Sequence, residues 1–410
     1  MRTFIFLAAT LLMVAGCGGG GGGSSAPAST STTTSPAITS NTIAASADNV
    51  QPIVVDPGPR NSVNIPFVSV TVCAPGSNAN CQTIDHVVVD TASTGLRLIG
   101  SVLSPALALT QQVDAGNNAV AECAQFAGGF SWGPIKIADV KIAGELASNV
   151  PMQVIDDAVF AIAAGCSGKG PSLNSVDALL ANGILGVGFF RQDCGSACVQ
   201  TATTGTYYGC STTTGACQQI TLPLSKQVQN PVALFANDNN GVIVQLPAIS
   251  ATGAATVTGS LVFGIGTRSN NALGNATVFP VNATTGTFTT VYKGQPLTRS
   301  FIDSGSNALF FPDGTITRCS NNFAFYCPSE TLNLSGTIQG TNGTTATINF
   351  SVGNTNALLQ NNPGATAFNN IGGPMLNVFD WGLPFYFGRN VYHAIAGAST
   401  PRGAGPYIAF

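Results

Sequence analysis

Two aspartates in duplicated turns are the residues of this 410-residue chain whose type and setting best suit chemistry. Asp90 follows an apolar run and begins Asp-Thr-Ala-Ser-Thr-Gly-Leu, and Asp303 follows a second apolar run and begins Asp-Ser-Gly-Ser-Asn-Ala-Leu. One such turn would be ordinary, because Asp, Ser, Thr and Gly are common turn residues. The chain has only 17 acids, however, and a carboxylate beside a buried strand costs free energy. The repetition therefore predicts a functional pair of carboxylates.

Two carboxyl groups brought together in this way suit acid–base chemistry. At a separation of about 3 Å they cannot both ionise cheaply, so they share one proton and titrate as a coupled pair. The ionised member can remove a proton from water while the protonated member polarises a carbonyl group. This division of roles hydrolyses an amide bond without a covalent intermediate. This chemistry is open to Asp90 and Asp303 if their turns face each other.

Short strands must position both turns. Apolar and polar residues alternate in runs of about four to eight, which are cut by Gly, Pro and Asn-Gly breaks. Residues 64–73 and 83–89 form two such runs before the first turn, and residues 300–302 precede the second. No long stretch has a helical period. With 48 Gly, 23 Pro and 44% hydrophobic residues, the composition predicts an all-β protein with ample core.

The scarcity of charge excludes one class of function. Only 14 Lys and Arg residues stand against 17 Asp and Glu, and 8% of all residues are charged. Such a chain cannot neutralise a run of phosphates, so we expect no nucleic-acid partner. The length exceeds what one ordinary core holds, which predicts two lobes. We also expect a monomer.

A second duplicated element follows the two turns. Residues 182–188, Asn-Gly-Ile-Leu-Gly-Val-Gly, come after the first turn, and residues 381–383, Trp-Gly-Leu, come after the second. This arrangement resembles the pepsin-like aspartic peptidases, in which each lobe has an Asp-Thr-Gly turn and a later apolar-apolar-Gly strand that crosses beneath it. The resemblance implies a bilobal fold with lobes over 59–230 and 231–410. It also implies a peptide or protein substrate or ligand in the cleft between the lobes.

The same resemblance implies that Asp90 and Asp303 are the catalytic dyad, and it assigns roles to the residues around them. Thr91 and Ser304 would brace the turns against each other, and Ser93 and Ser306 would orient the outer carboxylate oxygens. Residues 126–144 would form a hairpin flap over the cleft. The flap residues that the resemblance implies are Phe126, Gly128 and Gly129.

Three departures from the family pattern weaken the inference of strong activity. Ala92 stands where the family has Gly, and a positive φ there would cost about 1–2 kcal/mol. Phe126 replaces the flap tyrosine, and Arg97 replaces the tryptophan that this tyrosine bonds. The alternative is therefore a weak or inactive pseudo-peptidase that acts as a binding or scaffold protein of the cell envelope. A purely structural surface module is a third reading, but it would not need two buried acids.

His86 lies four residues before Asp90 on a predicted strand. Side chains alternate along a strand, so both would point to the same face. This spacing allows a link between His86 and the two aspartates. A structural histidine without such a link is the interpretation we favour.

The amino terminus predicts export and lipidation. Arg2 and the apolar residues 4–15 have the form of a secretory signal, too short to span a bilayer. Val-Ala-Gly-Cys at residues 14–17 resembles a bacterial lipoprotein signal, which implies a lipid on Cys17 that attaches the protein to a membrane. Residues 18–58 are too poor in large apolar residues to fold and predict a flexible tether. Together these features resemble an uncharacterised family of bacterial lipoproteins, and Gly18 favours the outer membrane.

Setting Cys17 aside leaves ten of the 11 cysteines, an even number in an exported chain, which predicts disulfides. Zinc is the rival interpretation, but the chain has only two histidines and an oxidising compartment favours disulfides. We expect no metal and no cofactor. Short spacings favour four local pairs and leave one longer pair, although spacing alone does not prove connectivity: Cys73 with Cys81, Cys194 with Cys198, Cys210 with Cys217, Cys319 with Cys327, and Cys123 with Cys166.

Overall fold

The computed structural model describes residues 42–156, 158–202 and 205–410. The predicted signal peptide, Cys17 and most of the predicted tether lie outside these ranges. The described chain is mostly strand, and the expectation of an all-β protein is confirmed. The strands in chain order are β1 (Val50–Val55), β2 (Pro66–Cys73), β3 (Cys81–Asp90), β4 (Thr94–Ile99), β5 (Thr110–Gln111), β6 (Ala119–Phe126), β7 (Gly129–Ile142), β8 (Glu145–Ile155), β9 (Gly183–Val187), β10 (Tyr207–Cys210), β11 (Cys217–Gln219), β12 (Gly241–Leu246), β13 (Val257–Phe263), β14 (Val278–Pro280), β15 (Phe288–Tyr292), β16 (Gln295–Ile302), β17 (Leu309–Phe311), β18 (Leu332–Gln339), β19 (Thr345–Val352), β20 (Gly372–Pro374), β21 (Asp380–Trp381), β22 (Arg389–Ala394), β23 (Ser399–Thr400), β24 (Gly403–Ala404) and β25 (Tyr407–Ala409).

Helices in the described residues are short, and polar caps begin two of them. The Ser175 side chain accepts a hydrogen bond from Ala178 N, and the Asn354 side chain accepts one from Ala357 N. Within the described residues, no helix combines the length and apolar content needed to cross a bilayer. The α-helices are α1 (Ala164–Ser167), α2 (Val176–Leu179), α3 (Ser196–Gln200) and α4 (Thr355–Asn361), and 3₁₀ turns span Gly58–Arg60, Gly100–Val102, Leu224–Lys226, Pro231–Leu234, Ser269–Asn271 and Leu383–Phe385.

Two sheets contain almost all of the strands. The larger has the order β11-β10-β6-β7-β8-β4-β9-β3-β2-β1-β13-β12-β22-β25-β14, with β5 paired to β7. The smaller has the order β19-β18-β15-β16-β21-β17-β20, and β23 pairs with β24 separately. The larger sheet therefore continues across the predicted lobe boundary at residue 230, because β12, β13, β14, β22 and β25 extend it.

The two aspartate turns lie in two separate three-stranded units that have the same topology. In the first half β9 lies between β3, to which it is parallel, and β4, to which it is antiparallel. In the second half β21 lies between β16 and β17 with the same two directions. The duplicated sequence elements therefore form duplicated structures, and each later strand holds both sides of its turn.

Apolar side chains from both halves share one large core. Leu96 and Leu185 of the first unit and Leu309 and Trp381 of the second belong to the same buried cluster. Each fully buried side chain of this kind stabilises the fold by about 1.5–3 kcal/mol. The core thus fixes the two units as parts of one packed body.

The tether was expected to reach residue 58, and this boundary is wrong. Val50–Val55 is strand β1, which pairs with β13 along its whole length and with β2 at its end. Ile53 and Val55 are fully buried. Four of its six residues are Val or Ile, which favour a strand, and the segment fills a place between strands that are distant in the sequence.

The ten cysteines of the described chain form five disulfides, which confirms the predicted pairs. Four bridges close short loops, and one joins β6 to α1 across 43 residues. The bridges are Cys73–Cys81, Cys194–Cys198, Cys210–Cys217, Cys319–Cys327 and Cys123–Cys166.

Candidate active site

Strand pairing places both aspartates at equivalent points. Asp90 is the last residue of β3 and stands opposite Gly186 of β9. Asp303 directly follows β16, and its backbone N–H donates to the carbonyl oxygen of Trp381 at 3.1 Å. Gly382 follows Trp381 and corresponds to Gly186 of the first half. The strand that crosses beneath each turn therefore has a glycine at the same point.

These two glycines are needed because the backbones approach closely. A Cβ atom added to Gly186 would lie 2.6 Å from the backbone nitrogen of Thr94. A Cβ atom added to Gly382 would lie 2.1 Å from the carbonyl oxygen of Ala308. Real Cβ atoms do not tolerate such contacts with backbone, so the apolar-apolar-Gly pattern has a steric cause.

The carboxyl groups of Asp90 and Asp303 meet. Each carboxyl group acts on the pKa of the other through a side-chain hydrogen-bond interaction, so a shared proton can join them. A Cβ atom added to Gly305 would lie 3.0 Å from Cγ of Asp90 and 3.1 Å from Oδ1 of Asp303, which places both groups around one point. Both aspartates are completely buried. The structure therefore brings together two acids that are 213 residues apart in the sequence.

Thr91 and Ser304 join the two turns through reciprocal hydrogen bonds. Thr91 N donates to Ser304 Oγ at 3.2 Å, and Ser304 N donates to Thr91 Oγ1 at 3.0 Å. Ser304 Oγ then donates to the carbonyl oxygen of Val89 at 2.6 Å. These reciprocal bonds are buried, which makes them hard to break without leaving unpaired polar groups.

The hydroxyl groups expected to orient the carboxylates behave differently in the two turns. Ser306 Oγ donates to Asp303 Oδ2 at 2.8 Å. Ser93 donates its backbone N–H to Asp90 Oδ1 at 3.1 Å. Its Oγ has no partner at hydrogen-bond geometry within the described residues, but the side chain lies near enough to lower the pKa of Asp90. The backbone N–H groups of Ala92 and Gly305 complete the orientation at 2.9 and 2.7 Å from Asp90 Oδ1 and Asp303 Oδ1.

Burial keeps a proton on the pair. Desolvation raises the pKa of Asp90, although hydrogen bonds to Ser93 and Ala92 partly oppose it. Desolvation and the neighbouring charges of Asp90 and Asp380 raise the pKa of Asp303 well above its usual range. Two close acids with this asymmetry can divide into one carboxylate and one carboxylic acid.

Sequence analysis missed a chain of polar residues behind Thr91. Tyr386 OH lies 2.7 Å from Thr91 Oγ1 and 3.1 Å from His393 Nε2. All three residues are fully buried. Nothing local in the sequence signals these contacts, since Thr91 and Tyr386 are 295 residues apart. The only available hint was that His393, one of the two histidines of the chain, lies in an apolar run.

His86 does not take part in the site, which agrees with the structural interpretation. Its ring packs edge-on against Phe67 and faces Asp56 and Asp85 at the surface. Its φ is +48°, and the pairing register of β2 and β3 shifts nearby, between Val68 and Val70. This irregularity breaks the alternation from which a common face with Asp90 was inferred.

The hairpin expected at residues 126–144 begins earlier. Phe126 ends β6, Gly128 lies in the turn, and Gly129 begins β7. A hydrogen bond from Phe130 N to Pro171 O at 3.0 Å attaches the hairpin end to a neighbouring loop. Phe126 is buried, with Arg97 stacked over its ring at 5.8 Å. Phe126 and Arg97, which both depart from the pepsin-like pattern, thus contact each other.

Ala92 carries no backbone strain. Its φ is not positive, so the penalty considered for a Cβ atom at this position does not arise. Arg97 is held in a buried ionic group, where it bonds Glu122 at 2.6 Å and Asp193 at 3.2 Å. The fold around the first turn therefore accommodates Ala92 and Arg97, two residues that depart from the pepsin-like pattern.

We expect His393 to make stability depend on pH. Burial lowers the pKa of His393 to about 3, so the unfolded chain binds a proton more readily than the folded one. Its stabilising contribution is present above pH 6.5 and is lost as pH falls, by about 1.4 kcal/mol per unit. His393→Gln removes this loss. Urea unfolding of both proteins at pH 7 and 4.5 measures the difference, and parallel pH profiles would contradict the assignment.

Residues 45–410 match the family described as "Protein of unknown function (DUF3443)", and the chain belongs to this family. The match includes both aspartate turns, both crossing glycines and all ten cysteines of the disulfides. No curated protein matches the sequence.

Proposed function

We propose that this protein is an exported lipoprotein with a bilobal pepsin-like fold that acts as an aspartic endopeptidase. The observation that carries the proposal is the convergence of the buried carboxyl groups of Asp90 and Asp303 beside Gly305, from duplicated and mutually braced turns. A structural module gains nothing from placing two like charges together. A hydrolase gains a proton donor and a proton acceptor at one point.

In the proposed mechanism a water molecule lies between the two carboxyl groups. The ionised aspartate removes a proton from the water as the water attacks the scissile carbonyl, and the protonated aspartate donates a hydrogen bond to the carbonyl oxygen. The proton taken from the water then passes to the amide nitrogen as the C–N bond of the tetrahedral intermediate breaks. Ser306 and the backbone N–H groups of Ala92, Ser93 and Gly305 hold the carboxylate oxygens in place. Fixed donors of this kind require little reorganisation during the reaction.

The two aspartates need one shared proton, so we expect peptide cleavage to be fastest at mildly acidic pH. The substrate class we propose is an unstructured peptide with an extended apolar segment, which lies in a cleft between the two halves. Residues 126–129 are proposed to border this cleft. Since both carboxyl groups are completely buried, a peptide reaches them only after a covering segment moves.

This complete burial also favours a second candidate function. A pseudo-peptidase would bind a peptide or protein in the cleft without hydrolysing it, as a binding or scaffold protein of the envelope. In either case we propose that lipid on Cys17 anchors the protein, in the outer membrane.

One experiment separates these functions. The exported chain is incubated with unstructured apolar peptides at mildly acidic pH, and its melting temperature is measured with a peptide analogue that carries a secondary hydroxyl at the scissile position. Slow cleavage together with a higher melting temperature supports the peptidase. At a thousandfold excess over its dissociation constant the analogue stabilises the folded state by about 4 kcal/mol. Stabilisation without cleavage supports the pseudo-peptidase, and absence of both results overturns the proposal.

A further inference from the structure

A cavity of about 180 Å³ lies against the aromatic cluster of the second unit. Neither aspartate of the dyad lines it. An apolar cavity of about 150 Å³ holds one benzene molecule, so this cavity has room for an aromatic ring and a short chain. Four aromatic side chains form much of its wall: Phe350, Trp381, Phe385 and Phe387.

The aromatic wall is held in place by its own contacts. Phe350 and Phe385 each stand edge-on to Trp381, with ring centroids 5.5 and 5.6 Å away. The indole Nε1 of Trp381 donates to Thr290 Oγ1 at 3.0 Å. A ligand that enters the cavity therefore meets rings that are already ordered, which lowers the entropic cost of binding.

Arg389 is the one charged residue among those that line the cavity. Its guanidinium lies 4.6 Å from the centre of the Phe385 ring, and its Nη1 donates to the carbonyl oxygen of Phe385 at 2.6 Å. Within the described residues no acid forms an ion pair with it. Its Nε and Nη2 have no hydrogen-bond partner in the same part of the chain and are not buried, so these donors are available to a ligand.

Comparison with Arg97 shows what Arg389 lacks. These are the two arginines of the described residues that are not exposed. Arg97 bonds the carboxylates of Glu122 and Asp193. Burial lowers the pKa of Arg389 to about 10, because no neighbouring acid offsets the loss of water. A carboxylate brought by a ligand would offset this cost.

We propose that this cavity binds a small carboxylate with an aromatic or branched apolar body. The carboxylate forms a forked pair of hydrogen bonds with Arg389, and the body lies among the four rings. A phosphate group carries more charge than one arginine balances, which favours the carboxylate. A free aromatic acid and the last residue of a peptide chain share this chemistry. Binding at this site does not depend on hydrolysis by the dyad.

Calorimetric titration of the exported chain at pH 7 tests the site with phenylacetate and phenylacetamide, which have the same apolar body. We expect the acid to bind at least about tenfold more tightly than the amide. Arg389→Gln should abolish this difference by lowering the affinity for the acid. Arg402→Gln is the matched control, because Arg402 is exposed and does not line the cavity. Asp303→Asn should also keep the preference, since the ligand does not contact the dyad.

Equal affinity for acid and amide in the unchanged protein overturns the proposal, and this result needs no variant. An acid preference that survives in folded Arg389→Gln, or that is lost in Asp303→Asn, also overturns it. If Arg389→Gln does not fold, Arg389→Lys keeps the charge but removes the fork, and an unchanged ratio of the two affinities would contradict the forked contact.

Peptides that end in Phe, with a free or an amidated carboxyl terminus, identify the source of the carboxylate. A preference for the free terminus supports the site as a receptor for a chain end. Binding of phenylacetate without binding of either peptide supports it as a site for a free acid.

Discussion

Asp303→Asn and Asp90→Asn should each reduce peptide cleavage by about 1,000-fold or more while the protein remains folded. Each substitution keeps the shape of the side chain but removes the ability to ionise, and general acid–base catalysis alone contributes about 100- to 10,000-fold. The dyad cannot divide into an acid and a base when one member is an amide. The measurement is the initial rate of cleavage at mildly acidic pH, with the melting temperature recorded for each variant.

Stability should respond in the opposite direction to activity. The two carboxyl groups are buried and repel each other when both ionise, so replacement of one by an amide should hold or raise the melting temperature at neutral pH. Asp114→Asn is a matched control, because Asp114 caps a turn next to Gly116 and Asn118 and takes no part in the dyad. Full activity in Asp303→Asn would eliminate the catalytic assignment. Unfolding of both variants would show that the pair is structural.

Gly382→Ala should lower the free energy of unfolding by about 3 kcal/mol or more. The added methyl group would lie 2.1 Å from the carbonyl oxygen of Ala308 and 2.6 Å from that of Ser306. Both atoms are backbone, so β21 and the turn must move apart. Since this turn contains Asp303 and Ser306, the displacement should also abolish binding of the hydroxyl-bearing analogue.

Gly364→Ala provides the control for this effect. Gly364 has open space around its position and no positive φ, so its substitution should change stability by less than about 0.5 kcal/mol. Urea unfolding measures both variants. A difference of under about 1 kcal/mol between them would contradict the steric role of the crossing glycine.

The local features of this protein were predictable because each depends on neighbours in the sequence. The turns at Asp90 and Asp303 follow from an acid, hydroxyl residues and small residues between apolar strands. Four disulfides close loops of a few residues, and the fifth pair followed from the remaining cysteines. The strand-rich fold followed from alternation and from the many Gly and Pro breaks.

The polar groups behind the dyad were not predictable, because they depend on contacts between distant segments. Tyr386 reaches Thr91 across 295 residues, and no spacing rule relates them. Asp380 stands in a run that reads as an ordinary apolar strand, and only its alignment with Ile184 in the folded repeat identifies it as unusual. Without pairing partners, a buried acid cannot be distinguished from a surface one.

The amino-acid sequence by itself identified the two aspartate turns, because the same short pattern occurs twice and depends only on neighbouring residues. Only the tertiary structure decided that Val50–Val55 belongs to the core and not to the tether, since its burial comes from β2 and β13. It also decided that Ser93 and Ser306 orient their carboxylates differently and that His393, not His86, lies behind the site. The physical reason is the same in each case. Burial and hydrogen bonding are properties of the surroundings that a side chain acquires on folding, and residues far along the chain supply them.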